Sequence, residues 1–288
     1  MPAKTYLLLL LALSLPGLGN AGPLRDLLKE RVTLPSGSEV RRDLPYGAHP
    51  RQRYDLYLPA APRNAPIIFM VHGGGWHTGD KAMAAVVDNK VAHWLARGYT
   101  LVSSNYRLLP EANPLEQVRD VASAFAEVQR QAPGWGGDPA RMVLMGHSAG
   151  AHLVSLLASD PALARGIDTP WLGTVALDSA AFDVPRIMNQ RHFALYDDAF
   201  GKDQALWQAA SPLLRLQRGA RPFLAVCSTR RAEACAQADA FASKAAGLGV
   251  QVSVLRQDLS HRQINQMLGE APDYTAAVDA FLARQGLP

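Results

Sequence analysis

The chain has 288 residues, of which 48% are hydrophobic, and its 29 basic and 25 acidic side chains leave a net charge of +4. That length and apolar content suit one large domain with its own core and exclude a disordered chain. The densest basic stretch, Arg215, Arg218 and Arg221, is broken by apolar residues. It reads as a solvated face, so a nucleic-acid partner is not expected.

Residues 1–21 hold one basic residue, Lys4, then the apolar run Leu7 to Leu15 and the small residues of Gly19-Asn20-Ala21. This is the pattern of a secretory signal peptide cleaved after Ala21. The run is shorter than the roughly twenty residues a membrane span needs, so an exported protein, periplasmic or secreted and without stable membrane insertion, is expected. In an oxidising compartment Cys227 and Cys235, eight positions apart, can close one disulfide.

In chain order, Leu24 to Glu30 is an amphipathic fragment and Pro35 to Ser38 a turn. Gln52 to Leu58 alternates as an outer strand does. Ile67 to Val71 is a continuous apolar strand running into His72-Gly73-Gly74-Gly75-Trp76. A helix over Lys90 to Arg97, a strand over Thr100 to Ser104 and a helix over Leu115 to Gln131 follow. Met142 to Met145 is a buried strand and Ala149 to Leu157 a helix. Gly173 to Leu177, Phe223 to Val226 and Val250 to Leu255 read as strands, with helices over Ala236 to Ala246 and Pro272 to Arg284. This alternation predicts an α/β fold, a mostly parallel sheet covered on both faces, in one domain spanning 22–288. Residues 183–221 interrupt the rhythm and are expected to form a small cap.

The chemistry concentrates where the Met142 strand meets its helix, at Gly146-His147-Ser148-Ala149-Gly150. A serine between flanking glycines at a strand-to-helix turn is a nucleophile elbow: the turn is strained, and only small neighbours let strand and helix approach. A serine needs a base to take its proton, and a base needs a group to hold its tautomer. In the order serine, acid, histidine the base follows the last strand, where His261 is the only histidine. The amides of Gly74, Gly75 and Ala149 are the candidates to stabilise an oxyanion. His72 is expected to brace its loop, His147 to pack under the turn and His152 to serve structure. No histidine pair has metal-ligand spacing with a third ligand, so neither a metal nor another cofactor is expected.

His72 to Trp76, Asn105-Tyr106-Arg107-Leu108-Leu109-Pro110-Glu111 and Gly146 to Gly150 together resemble the α/β-hydrolase superfamily. The likeness is strongest to its esterases that include hormone-sensitive-lipase-like carboxylesterases, feruloyl esterases and kynurenine formamidases. The segment from Tyr46-Gly47 through Tyr54-Asp55-Leu56-Tyr57-Leu58-Pro59 resembles the entry strand of that group, and the likeness runs from about Leu44 to Gly286. It implies an α/β-hydrolase fold with Ser148 as nucleophile and His261 as base. The acid departs from the pattern, since the usual slot after the seventh strand holds Arg231. Asp178, at the end of the sixth strand, is preferred to Glu233, with Asp258 and Asp183 as further alternatives. The expected activity is hydrolysis of a small-molecule carboxylic ester through an acyl-enzyme. Alternatives are an arylformamide or other amide, or a feruloyl, polyester or lipid ester. A non-catalytic binding module on the same scaffold is the contrasting class, and such modules typically lose the serine, histidine or glycines kept here.

Overall fold

The computed structural model describes residues 34–288. The signal-peptide pattern expected at 1–21 and the amphipathic fragment expected at 24–30 lie outside the described residues. Eight strands form one sheet: β1 Glu39–Pro45, β2 Arg53–Leu58, β3 Ala65–Val71, β4 Thr100–Ser104, β5 Gly137–His147, β6 Gly173–Leu177, β7 Phe223–Ser228 and β8 Val252–Gln257. Their order is β1-β2-β4-β3-β5-β6-β7-β8. β1 pairs with β2 and β2 with β4 in antiparallel fashion, and every other pair is parallel.

The apolar strands bury both faces, and their alternation sorts side chains between two cores. Ile67, Phe69, Val71, Met142 and Leu144 meet α2 Pro114–Gln131, α3 Ala149–Ser159 and α8 Ala232–Gly247. Ile68, Met70, Val143 and Met145 face the other way, against α1 Ala84–Leu95, α9 His261–Gln266 and α10 Pro272–Arg284. Asn113 caps α2, accepting from the amides of Leu115 and Glu116 at 2.9 and 3.2 Å while Glu116 accepts from the Asn113 amide at 2.8 Å. Such reciprocal caps contribute about 1 kcal/mol.

The stretch 52–58 is not an outer strand: β1 covers it, and β2 pairs on both sides. β1 escapes sequence reading because Glu39-Val40-Arg41-Arg42-Asp43 lies at the edge, largely exposed, and its charges blunt that edge. α1 begins at Ala84, six residues before the sequence suggests, and β5 extends upstream to Gly137. Residues 183–221 hold four short helices, α4 Val184–Met188, α5 Ala194–Phe200, α6 Gln204–Ala209 and α7 Pro212–Arg215.

The strand order reverses direction at β3, so the carboxyl ends of β3 and β5 lie side by side, with Val71 in register with Gly146. A crevice opens at such a point, and both motifs singled out in the sequence end there.

Candidate active site

Ser148 sits between β5 and α3 with φ +56°, a left-handed backbone unusual for a residue with a side chain. Its neighbours leave no room for a Cβ. One added at Gly146 would lie 2.4 Å from the Gly150 carbonyl oxygen, and one at Gly150 would lie 2.3 Å from that of Val71. The Ser148 amide donates to Leu177 O at 3.0 Å, pinning the turn to the end of β6.

The structure brings Ser148, His261 and Asp178 together. His261 Nε2 lies 2.9 Å from Ser148 Oγ, and His261 Nδ1 lies 2.6 Å from Asp178 Oδ2. His261 is the first residue of α9, whose start is fixed by a capping box: Ser260 Oγ accepts from the Gln263 amide at 3.3 Å, and the Ser260 amide donates to Gln263 Oε1 at 3.0 Å. Asp178 is fully buried and, like Ser148, has a left-handed backbone, with φ +57°. Its Oδ1 accepts from the Ser228 amide at 2.8 Å. Burial works to raise its carboxyl, but His261, Arg231 and the Ser228 amide outweigh that and hold it below the usual carboxylate range.

Arg231, in the slot where the resemblance places an acid, takes part in this arrangement. Its Nη1 lies 2.5 Å from Asp178 Oδ2, 3.2 Å from Asp178 O and 2.7 Å from His261 Nδ1. If His261 carries its proton on Nδ1, that proton and the Arg231 N–H both point at Oδ2. The close approach of Arg231 to Nδ1 is then two donors converging on one acceptor. The other carboxylates stand elsewhere. Glu233 is exposed 3.8 Å from Arg186, Asp258 pairs with Arg230 at 2.8 Å, and Asp183 accepts from the Arg186 amide as the cap of α4. The disulfide Cys227–Cys235 closes the loop that holds Arg231.

Gly73, Gly74 and Gly75 arch over the serine. The amides of Gly74 and Gly75 donate to no backbone carbonyl among the described residues, and Ala149, first in α3, has no intrahelical acceptor. A Cβ on Gly73 would lie 2.9 Å from that of Ser148, and one on Gly74, at φ +128°, would lie 2.1 Å from Thr78 O. The motif at 105–111 braces this loop. Tyr106 Oη donates to His72 O at 3.1 Å, and Asn105 Oδ1 accepts from the Lys81 amide at 2.7 Å. Arg107 forms a two-pronged pair with Asp120.

Three histidines frame the site as neutral groups. Burial lowers His72 to about 4, and its ring stacks on Tyr106 at 4.5 Å. Burial, then the neighbouring His261, lowers His147 to about 3, and its Nε2 lies 2.9 Å from His261 O. Burial lowers His152 to about 4; its Nδ1 accepts from Trp76 at 3.2 Å and its Nε2 donates to Ala210 O at 2.7 Å.

A cavity of about 840 Å³ contains Ser148, His261 and the glycine loop, and its walls include Phe193, Leu195 and Tyr196 of the 183–221 segment. Other aromatic residues of that segment do not line it: Phe200 packs 5.0 Å from Trp76, and Trp207 donates to Phe200 O and Gly201 O. Arg231, Arg262 and Asn265 also line the cavity. Sequence reasoning assigned none of these three a place in the site. Arg262 and Asn265 were findable, since Ser260-x-x-Gln263 marks a helix start that puts them one turn apart on one face.

The BD-FAE family model matches residues 54–180. The probable isoprenylcysteine alpha-carbonyl methylesterase ICMEL2 of Arabidopsis thaliana is 36% identical over 137 residues, 46% of this chain and 32% of that protein. Esterase LipQ of Mycobacterium tuberculosis is 30% identical over 200 residues, 63% of this chain and 46% of its own length. The chain thus spans less than half the length of these relatives. Among solved structures, esterase B from Lactobacillus rhamnosis superposes with a TM-score of 0.71 at 21% identity, covering 91% of this chain and 90% of that one. Thermogutta terrifontis esterase 2 also gives 0.71, at 20% identity, covering 87% and 96%.

Proposed function

Given that the chain belongs to the α/β-hydrolase superfamily, we propose that it is a serine esterase that cleaves carboxylic esters through an acyl-enzyme. One observation carries this reading: the series Ser148 Oγ, His261 Nε2, His261 Nδ1, Asp178 Oδ2, joined at 2.9 and 2.6 Å inside a cavity beneath the unpaired glycine amides. The names of the relatives, esterases and methylesterases, agree with it.

In this reading Ser148 Oγ attacks the ester carbonyl carbon while His261 Nε2 takes its proton. The carbonyl oxygen becomes an oxyanion held by the amides of Gly74, Gly75 and Ala149. Asp178 keeps the Nδ1 proton in place and stabilises the imidazolium. Collapse of the intermediate breaks the bond to the alcohol oxygen, which leaves with the proton from Nε2. Water, deprotonated by the same nitrogen, then releases the acid and restores Ser148.

The test is turnover of para-nitrophenyl esters by the wild type and by Ser148→Ala. Turnover vanishes in the folded variant, and an organophosphate labels Ser148 in the wild type. An adduct on any other residue overturns the assignment. We further propose that the protein acts outside the cytoplasm, on the strength of the sequence pattern at 1–21. Sequencing the amino terminus of mature protein checks this: Gly22 first supports export, and an intact Met1 end refutes it.

A further inference from the structure

The base sits on a thinly anchored part of the chain. α9 follows β8, the last strand of the sheet, which pairs only with β7 and has no buried residue. His261 is the first residue of that helix, which has six. The bonds on either side of it stop short of the base: Ser228 Oγ donates to Leu259 O at 2.6 Å, and Lys90 Nζ donates to Asn265 O at 2.5 Å. Asp178 aims the ring of His261, but that bond holds the base in place only if the backbone behind it stays put. A displacement of about 1 Å at a reacting group can cost about a hundredfold in rate.

His147 ties down that backbone. Its Nε2 lies 2.9 Å from His261 O, and the two rings are 4.5 Å apart, centre to centre. A carbonyl oxygen can only accept, so His147 carries its proton on Nε2. Burial, then His261, lowers the group to about 3, so the ring stays neutral and keeps this one donor across the neutral range. His147 also ends β5, in register with Leu177, and Ser148 follows it directly. Nucleophile and base therefore meet twice, Ser148 Oγ with His261 Nε2 and His147 Nε2 with His261 O. The elbow pattern asks for small residues around the serine and leaves position 147 open, so this second contact is particular to the histidine.

We propose that His147 is a positioning residue for the base: its Nε2–H holds the His261 backbone at the distance from Ser148 that proton transfer needs. The inference rests on the esterase reading.

Three substitutions separate a donor from mere packing. Glutamine carries its amide nitrogen about as far out as the Nε2 of histidine, asparagine stops near the Nδ1 position, and phenylalanine keeps a ring without a donor. On para-nitrophenyl butyrate, folded His147→Phe and His147→Asn lose about thirtyfold in kcat with KM within about twofold. His147→Gln returns to within about threefold of the wild type. If phenylalanine prevents folding, the asparagine and glutamine variants decide alone. Proton NMR adds a readout that needs no turnover, because the hydrogen between His261 Nδ1 and a carboxylate resonates far downfield. Its signal is sharp in the wild type and His147→Gln and is broadened or lost in the other two. A kcat that all three variants keep, a glutamine variant as slow as the asparagine one, or a loss carried by KM overturns the role. A wild type without turnover whose downfield signal follows the expected pattern keeps the role and removes the esterase reading. A signal indifferent to all three substitutions overturns the role, whether or not the ester turns over.

Discussion

Asp178→Asn is the perturbation whose outcome the structure specifies most closely. The two oxygens of Asp178 have different partners: Oδ1 accepts from the Ser228 amide at 2.8 Å and Oδ2 faces His261 Nδ1 at 2.6 Å. An asparagine must put its oxygen against the Ser228 N–H, because turning its NH2 there would set donor against donor in a fully buried site. Its NH2 then faces Nδ1, which can only accept, and the imidazole proton moves to Nε2, where it meets the Ser148 hydroxyl. Arg231, 2.7 Å from Nδ1, favours the same wrong tautomer. Recovering the productive one strands the Ser228 donor at about 2 to 3 kcal/mol. Losing the carboxylate beside the imidazolium adds a similar amount, so the total is about 5 kcal/mol, a few thousandfold in kcat. The equivalent replacement in a well-studied serine protease costs about ten-thousandfold. The assay is kcat on para-nitrophenyl butyrate with circular dichroism to establish folding. Glu233→Gln, at an exposed position, is expected to stay within about twofold of the wild type. A folded Asp178→Asn that keeps more than about a tenth of its kcat refutes the reasoning, and a large loss in Glu233→Gln would transfer the role.

Three further outcomes follow from the geometry. Gly74→Ala brings a Cβ to 2.1 Å from Thr78 O at φ +128°, whereas Gly75→Ala meets open space at φ +59°. The first is expected to lower kcat by about a hundredfold or more and the second by about tenfold or less, measured on folded variants. Thiol counting in denaturant on unreduced protein should find neither Cys227 nor Cys235 free. Replacing both with alanine should cost about 2.5 kcal/mol by urea titration, the chain-entropy value for so short a loop. Lys90 is buried, which lowers its ammonium to about 7 from an ordinary 10.5. Between those values the unfolded chain holds a proton the folded one has released, so this residue makes stability rise with pH across that window. Thermal melts of Lys90→Met should show a flatter rise from pH 7 to about 10, and an unchanged slope would contradict the assignment.

The fold was legible where strands are buried on both faces, because Ile67 to Val71, Met142 to Met145 and Phe223 to Val226 must be continuously apolar there. β1 lacked that signal, since an edge strand buries little and reads as a polar segment. The helices of 183–221 are four to seven residues long, too short for a 3.6-residue period to repeat. At the site, the turn around Ser148 is local chemistry and can be read from five residues. The choice among Asp178, Glu233, Asp183 and Asp258 cannot, because the approach of each carboxylate to His261 depends on strand order. The position of Arg231 was conspicuous in sequence, but its contacts depend on where α8 begins. Asn265 reads as one more polar helix residue until its burial is known.

The amide of Ser148 bonds to Leu177 O and that of Asp178 to Val226 O, each reaching the end of the neighbouring strand. Nucleophile and acid are therefore surveyed against a ladder rather than against the loops above them. Substituting or lengthening the segment 183–221 would redraw the walls that meet the substrate and leave the spacing between the reacting groups unaltered. In a chain built this way, selectivity and chemical competence can diverge under mutation, each answering to its own stretch of sequence.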